Sequence, residues 1–233
     1  EQAVGPRVLD DKVFGSINVP ADCVRPFEKI HLHAALPAGV NEPTAEGVEG
    51  SRRILECVSR LDPEDLCIVL LSGGGSALLP APVAGITLAD KQSVNRLLMH
   101  SGASIAELNC VRKQLSRIKG GRLAQATKAG LVIALVISDV VGDPLDIIAS
   151  GPTTPDQSTP ADALEILRRY ARRPNDIPAS VTDVLARAAA SPHAAEPFRE
   201  GVFNHVIGNN DLALKAAAGE ARRRGYRVDA LGS

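Results

Sequence analysis

Ser72-Gly73-Gly74-Gly75-Ser76 follows without a break on the apolar run Cys67 to Leu71, and this junction is where the chain first offers chemistry. Three glycines in succession let the backbone take positive φ and come close to a ligand. Amides exposed in such a turn, with a serine hydroxyl on either side, suit a phosphate or a carboxylate, particularly with a helix N-terminus behind them. The same residues also make a plain strand-to-helix turn. Two nucleotide fingerprints are ruled out by position. Gly-x-x-x-x-Gly-Lys-Ser/Thr fails because Gly73 leads to Leu78, and Gly-x-Gly-x-x-Gly fails at the same residue, which disfavours a P-loop NTPase and an ordinary dinucleotide fold.

Cations come next. Ile105, Leu108, Val111, Leu115 and Ile118 recur at spacings of three and four and mark the buried stripe of a helix. Asn109, Arg112, Ser116 and Lys119 recur at the same spacings on the adjoining face, which runs into Lys119-Gly120-Gly121-Arg122. Either these cations, with Lys113 and Arg117, form a solvated face that complements the helix dipole, or Arg112, Lys119 and Arg122 neutralise a bound anion. Carboxylates follow the second apolar run, Leu131 to Ile137, at Asp139 and Asp143. Just past a parallel strand they are placed to hold Mg²⁺ through phosphate oxygens or to act as a base, although aspartates are also ordinary turn residues. Further polar candidates are Ser150 in Ile-Ala-Ser-Gly-Pro-Thr-Thr and Asn209 after a third apolar run. His31 and His33 share one strand face, but no third metal ligand accompanies them, so a structural or substrate-contacting role is expected.

The elements that must carry these groups alternate. Apolar runs at Cys67 to Leu71, Leu131 to Ile137 and Val202 to Ile207 predict parallel strands covered on both faces. Helices are expected over Ala45 to Arg60 behind Thr44, after the capping boxes Thr87-Leu-Ala-Asp90 and Ser104-Ile-Ala-Glu107, over Pro160 to Arg172, Ala179 to Ala190 and Leu212 to Arg224, with a last strand near Val228. This is an α/β pattern, a mostly parallel sheet with helices on both faces. Ligands bind beyond the carboxyl ends of such strands, where the triglycine loop, Ser138-Asp139 and Asn209-Asn210 all fall. Residues 1–27, broken by Pro6, Pro20 and Pro26, read as a partial N-terminal segment whose order the sequence leaves open, and residues 28–233 as the main domain.

Composition narrows the functional classes. The 233 residues suit one large domain or two small ones, and 45% hydrophobic content supports a sizeable core. With 26 Lys and Arg against 27 Asp and Glu, and only 3% aromatic residues, neither the charge footprint nor the stacking surface of a nucleic-acid binder is present. Cys23, Cys57, Cys67 and Cys110 lack metal or redox spacing and read as reduced residues, which with no apolar run of membrane-spanning length suggests a cytoplasmic protein without a membrane partner.

Ser72-Gly-Gly-Gly-Ser-Ala-Leu-Leu-Pro-Ala-Pro, Gly85-Ile-Thr-Leu-Ala-Asp-Lys, Asn109-Cys-Val-Arg-Lys-Gln-Leu-Ser-Arg-Ile-Lys-Gly-Gly-Arg-Leu-Ala and Ile137-Ser-Asp-Val-Val-Gly-Asp-Pro, followed by Ile148-Ala-Ser-Gly-Pro-Thr-Thr-Pro-Asp, resemble the glycerate 2-kinase family, in order across most of residues 28–231. The resemblance implies ATP- and Mg²⁺-dependent phosphorylation of D-glycerate to 2-phosphoglycerate. It also implies a bilobal protein: a Rossmann-like N-terminal domain, matched here, and a second α/β domain called MOFRL, with the site in the cleft between. The family's Gly-Lys-Ala segment, whose lysine is thought catalytic, has no counterpart in these residues, and neither has the MOFRL domain. The piece by itself is therefore expected to be inactive and to present an apolar patch prone to pair as a homodimer. On this reading Arg112, Lys119 and Asp139 are catalytic. Ser72, Gly73, Gly74, Gly75, Ser76, Asn109, Arg122, Ser150 and Asn209 bind substrate or phosphate, and Asp139 and Asp143 hold Mg²⁺. The alternatives are an NAD(P)-dependent hydroxypyruvate reductase, a label relatives of this family have carried, and a non-catalytic anion-binding module.

Overall fold

The structure is a computed structural model that describes residues 12–173, 175–190 and 197–229. The three apolar runs form parallel strands β3 (Leu66–Leu71), β4 (Leu131–Ile137) and β5 (Val202–Gly208), hydrogen-bonded in the order β3-β4-β5. Their carboxyl ends therefore share one edge, as the ligand-site expectation requires. A separate parallel pair, β1 (Gly15–Pro20) and β2 (Ile30–Leu36), spans the division expected between residues 27 and 28.

Helices pack where their apolar stripes point. They are α1 (Ala45–Ser59), α2 (Gly75–Leu78), α3 (Leu88–His100), α4 (Ile105–Gln114), α5 (Arg122–Gln125), α6 (Pro160–Tyr170), α7 (Ala179–Ala190) and α8 (Asn210–Arg223). Both capping boxes form, and Thr159 with Asp162 makes a third in front of Pro160. Each such cap is worth about 1 kcal/mol. Cys67, Val69 and Leu71 of β3 and Val132, Ala134 and Val136 of β4 bury one sheet face against Ile118, Leu123 and Ile148. A second core joins α3, α4, α6 and α7 through Val94, Leu98, Val111, Leu167 and Leu185. Fully burying a side chain of this size contributes roughly 1.5–3 kcal/mol. The result is the expected α/β class, parallel sheets flanked by helices.

Three expectations need correction. The sheet is not covered on both faces: Leu66, Ile68 and Leu70 of β3, Ile137 of β4 and Phe203 and Ile207 of β5 are about half exposed or more (49%, 55%, 55%, 53%, 61% and 52%), because the described core packs on the face of Cys67, Val69, Leu71, Val132, Ala134 and Val136. No strand forms near Val228 among the described residues. The helix of the cationic stripe stops at Gln114 rather than continuing to Lys119. There Ser116 Oγ accepts from the amides of Ile118 and Lys119 at 3.2 Å, Arg117 N donates to Ala81 O at 2.8 Å, and Ser116 bridges to Pro82. A serine hydroxyl that binds nearby amides competes with the helical ladder, and here it wins. No described helix is long and apolar enough to cross a membrane.

Candidate active site

Beyond the carboxyl ends of β3 and β4 lies a cavity of about 570 Å³, framed by the triglycine loop, α3, α4, Asp139 and the Ile147 to Ala149 segment. The loop leaves β3 and turns at Gly74 (φ 77°) into α2, a single turn of helix. Among the described residues the amides of Gly73, Gly74 and Ser76 have no acceptor, whereas Gly75 N is used on Ser72 O at 3.3 Å. Glycine is required here by close approach as well as by φ. A Cβ on Gly73 would stand 2.6 Å from Asp139 Oδ2, and one on Gly75 would stand 2.9 Å from Ala149 Cβ.

The floor of the cavity is a strained segment. Ala149 (φ 52°), Ser150 (φ 61°) and Gly151 (φ 60°) are left-handed in succession, at a cost of about 1–3 kcal/mol for each non-glycine residue. Gly120 N and Gly121 N hold the carbonyls of Ser150 and Gly151 at 3.0 and 2.7 Å, so the second glycine pair clamps this turn. Ser150, fully buried, donates to Asn109 Oδ1 at 2.9 Å and its Oγ lies 3.1 Å from Ser76 Oγ. The strain places Ala149 O at 3.3 Å from Lys119 Nζ, which also donates to Ser76 O and Ser76 Oγ at 2.9 Å. Lys119 thus ties the triglycine loop to the strained turn.

The expected site residues sort by geometry. Ser72, Gly73, Gly74, Gly75, Ser76, Asn109, Arg112, Lys119 and Asp139 all line the cavity. Ser150 sits beneath it. Arg122 is turned away: its guanidinium donates to the carbonyls of Lys113 and Ser116, closing the end of α4. Asp143 and Asn209 bond each other at 2.5 Å and do not line the cavity, and Asn209 caps α8. Asp139 and Asp143 are therefore not brought to one point of the cavity. No group of three or more His, Cys, Asp or Glu able to hold a metal occurs among the described residues. Lys113 is buried, not solvated, facing Asp156 and Asp146 at 3.5 and 3.7 Å. His31 and His33 lie elsewhere, His33 Nε2 at 2.8 Å from Glu46 O and His31 beside Arg53.

Sequence reasoning missed Lys91. It lines the cavity from α3, is 5% exposed, and donates to Leu115 O at 2.8 Å. The available signal was its register, since Lys91, Val94 and Leu98 are the buried residues of α3, a lysine in an apolar stripe. Asn95 was also missed; its Oδ1 accepts from Arg112 Nε at 3.1 Å.

Lys91, Arg112 and Lys119 have no carboxylate ion pair among the described residues. Burial, then the charges of Arg112 and Arg122, pushes the Lys91 ammonium down to about 7. Burial, then Lys91 and Arg112, pushes Lys119 well below the usual lysine range, and burial lowers Arg112 to about 10. The sign for stability follows directly. Unfolded Lys91 keeps its proton to about 10.5, so between pH 7 and 10 the unfolded chain binds more protons and stability rises with pH. Below pH 7 the fold bears the full cost of the buried charge. Unfolding temperatures of the wild type are expected to fall more steeply than those of Lys91→Met as pH drops from 10 to 7, measured calorimetrically without ligand; parallel profiles would show that Lys91 holds its proton equally in the folded and unfolded chains, so that burial does not depress its titration.

This parallel α/β domain thus sets free amides and cations without carboxylate partners around one cavity beyond its strand ends, an arrangement with the chemistry to hold an anion. The chain belongs to the family described as Domain of unknown function (DUF4147), whose model matches residues 3–186. The resemblance to glycerate kinases is borne out: the chain is 44% identical to the glycerate kinase of Rattus norvegicus, over 87% of this chain and 39% of that protein. It is 46% identical to a putative hydroxypyruvate reductase of Agrobacterium vitis, over 82% of this chain and 48% of that one. The crystal structure of glycerate kinase from Thermotoga maritima superposes with a TM-score of 0.80 at 36% identity, over 96% of this chain and 51% of that chain. The chain spans about half the length, or less, of these proteins.

Proposed function

We propose that the cavity serves a glycerate kinase reaction, the ATP-dependent phosphorylation of D-glycerate to 2-phosphoglycerate, in a protein whose second domain is of the MOFRL type. The observation that carries this reading is a set of three cations without carboxylate partners, Lys91 and Lys119 buried and Arg112 partly buried, lining one cavity with free backbone amides. Phosphoryl transfer asks the protein for positioning and charge neutralisation rather than covalent chemistry, and this inventory supplies both. The amides of Gly73, Gly74 and Ser76 orient an anionic group, and the apolar floor and strained turn exclude water from one side. Lys91, Arg112 and Lys119 neutralise charge where screening by water is weak.

Of the cofactors this activity implies, ATP fits the donor set, because its phosphates match unpaired cations and amides. For Mg²⁺ the fitting residue is Asp139, whose carboxylate lies against Gly73 in the cavity wall; one carboxylate plus phosphate oxygens is an ordinary Mg²⁺ environment. Bound there, the ion would neutralise phosphate charge. Asp143, held by Asn209, is not part of that set.

Because relatives also bear the name hydroxypyruvate reductase, the test has two arms. The full-length protein is assayed with D-glycerate plus ATP and with hydroxypyruvate plus NADH, and the phosphorylated carbon is identified by phosphorus NMR. Glycerate-dependent ATP consumption yielding 2-phosphoglycerate is the expected result. NADH oxidation without ATP consumption would overturn the reading.

A further inference from the structure

The donors around the cavity divide in a way that their residue types do not foretell. Lys119 uses its ammonium on three protein acceptors, Ser76 O, Ser76 Oγ and Ala149 O. Lys91 makes one bond, to Leu115 O, and an ammonium has three donors. Leu115 O also accepts from Val83 N at 3.4 Å, so Lys91 is not needed to satisfy that carbonyl. Arg112 engages Asn95 through Nε, and neither of its η nitrogens has an acceptor among the described residues. A guanidinium so held presents the fork that matches a carboxylate or phosphate in bidentate fashion.

A buried cation without a counter-charge costs stability, and an apolar side chain of similar length in its place is often neutral or stabilising. Lys91 sits between Thr87 and Val94 on the face of α3 that packs into the core, so methionine would fit the surroundings at least as well. Nothing in the fold explains the lysine. We propose that Lys91 and Arg112 together grip the compact anionic group of the ligand, a carboxylate or a phosphoryl group, and that Lys119 is a positioning residue that fixes the triglycine loop. This rests on the cavity being the anionic-substrate site argued above. The depressed Lys91 ammonium, lowered first by burial and then by Arg112 and Arg122, agrees with a missing counter-charge that the ligand supplies.

The test uses the full-length protein as wild type, Lys91→Met, Lys91→Gln and Arg112→Lys, titrated calorimetrically with inorganic phosphate and with D-glycerate, beside thermal unfolding without ligand. Lys91→Met and Lys91→Gln are expected to bind at least about tenfold more weakly, the loss of one hydrogen bond to a charged group, while melting at or above the wild-type temperature. Arg112→Lys keeps the charge, loses the fork and is expected to weaken binding as well. Weakening with D-glycerate alone assigns the carboxylate, and weakening with phosphate alone assigns the phosphoryl group. Wild-type affinity for both probes in the Lys91 variants overturns the proposal, as does a lowered melting temperature with affinity unchanged, which would make Lys91 structural. A wild type that binds neither probe would instead overturn the underlying reading of the cavity.

Discussion

Lys119→Met is expected to lower kcat/KM for D-glycerate phosphorylation by about 10²-fold, the scale of a misplacement near 1 Å in the groups it positions. Lys119 is 2% exposed, and its ammonium joins Ser76 on the loop to Ala149 on the strained turn. Methionine fills the same channel but donates nothing, so two carbonyls lose their cation. The left-handed Ala149 and Ser150 then lose a contact that holds them in an unfavourable conformation. The amides of Gly73, Gly74 and Ser76 would then be carried by a loop that Lys119 no longer ties to the turn. Steady-state kinetics beside circular dichroism checks this: a folded variant with kcat/KM within threefold of the wild type would show that Lys119 holds nothing the reaction uses.

Gly73→Ala is the second change with a large expected effect, about 10²-fold in kcat, the scale of a misplacement near 1 Å. Gly73 has no positive φ, so alanine brings no backbone strain and the effect comes from its Cβ alone. That Cβ would lie 2.6 Å from Asp139 Oδ2 and 3.2 Å from Asp139 Cγ, so the carboxylate must swing away. The control is Gly102→Ala in the turn between α3 and α4, where φ is 77° and the added Cβ meets nothing within 4 Å. There the expected cost is about 1 kcal/mol of stability from left-handed backbone with activity retained. Equal kinetics for Gly73→Ala and wild type would place Asp139 outside the reaction. A Mg²⁺ titration adds a second readout, since a displaced carboxylate is expected to raise the Mg²⁺ concentration for half-maximal rate.

The sequence by itself determined the strands and most helices, because apolar runs and capping residues act over a few neighbours. Thr87 with Asp90 and Ser104 with Glu107 start helices for reasons contained in four residues, and the unbroken apolar run Leu131 to Ile137 forms the central strand of the sheet. The triglycine loop and Asp139 were legible as neighbours because parallel strands bring their carboxyl-end loops to one edge, and Arg112 and Lys119 reach the same cavity from α4 and the turn after it. What only the tertiary structure decided is which groups remain free once the chain has satisfied itself. Arg122 and Lys119 differ little by type or neighbourhood in sequence, yet Arg122 closes the end of α4 while Lys119 crosses to Ser76. Asp143 and Asn209, 66 residues apart, bond each other outside the lining of the cavity. Lys91 drew no expectation as a site residue, and the packing of α3 against α4 is what buries its ammonium near Arg112. A local pattern fixes hydrogen bonds and burial within a turn or two. Whether a buried charge meets a counter-charge depends on which distant elements pack around it, and that is set by the fold.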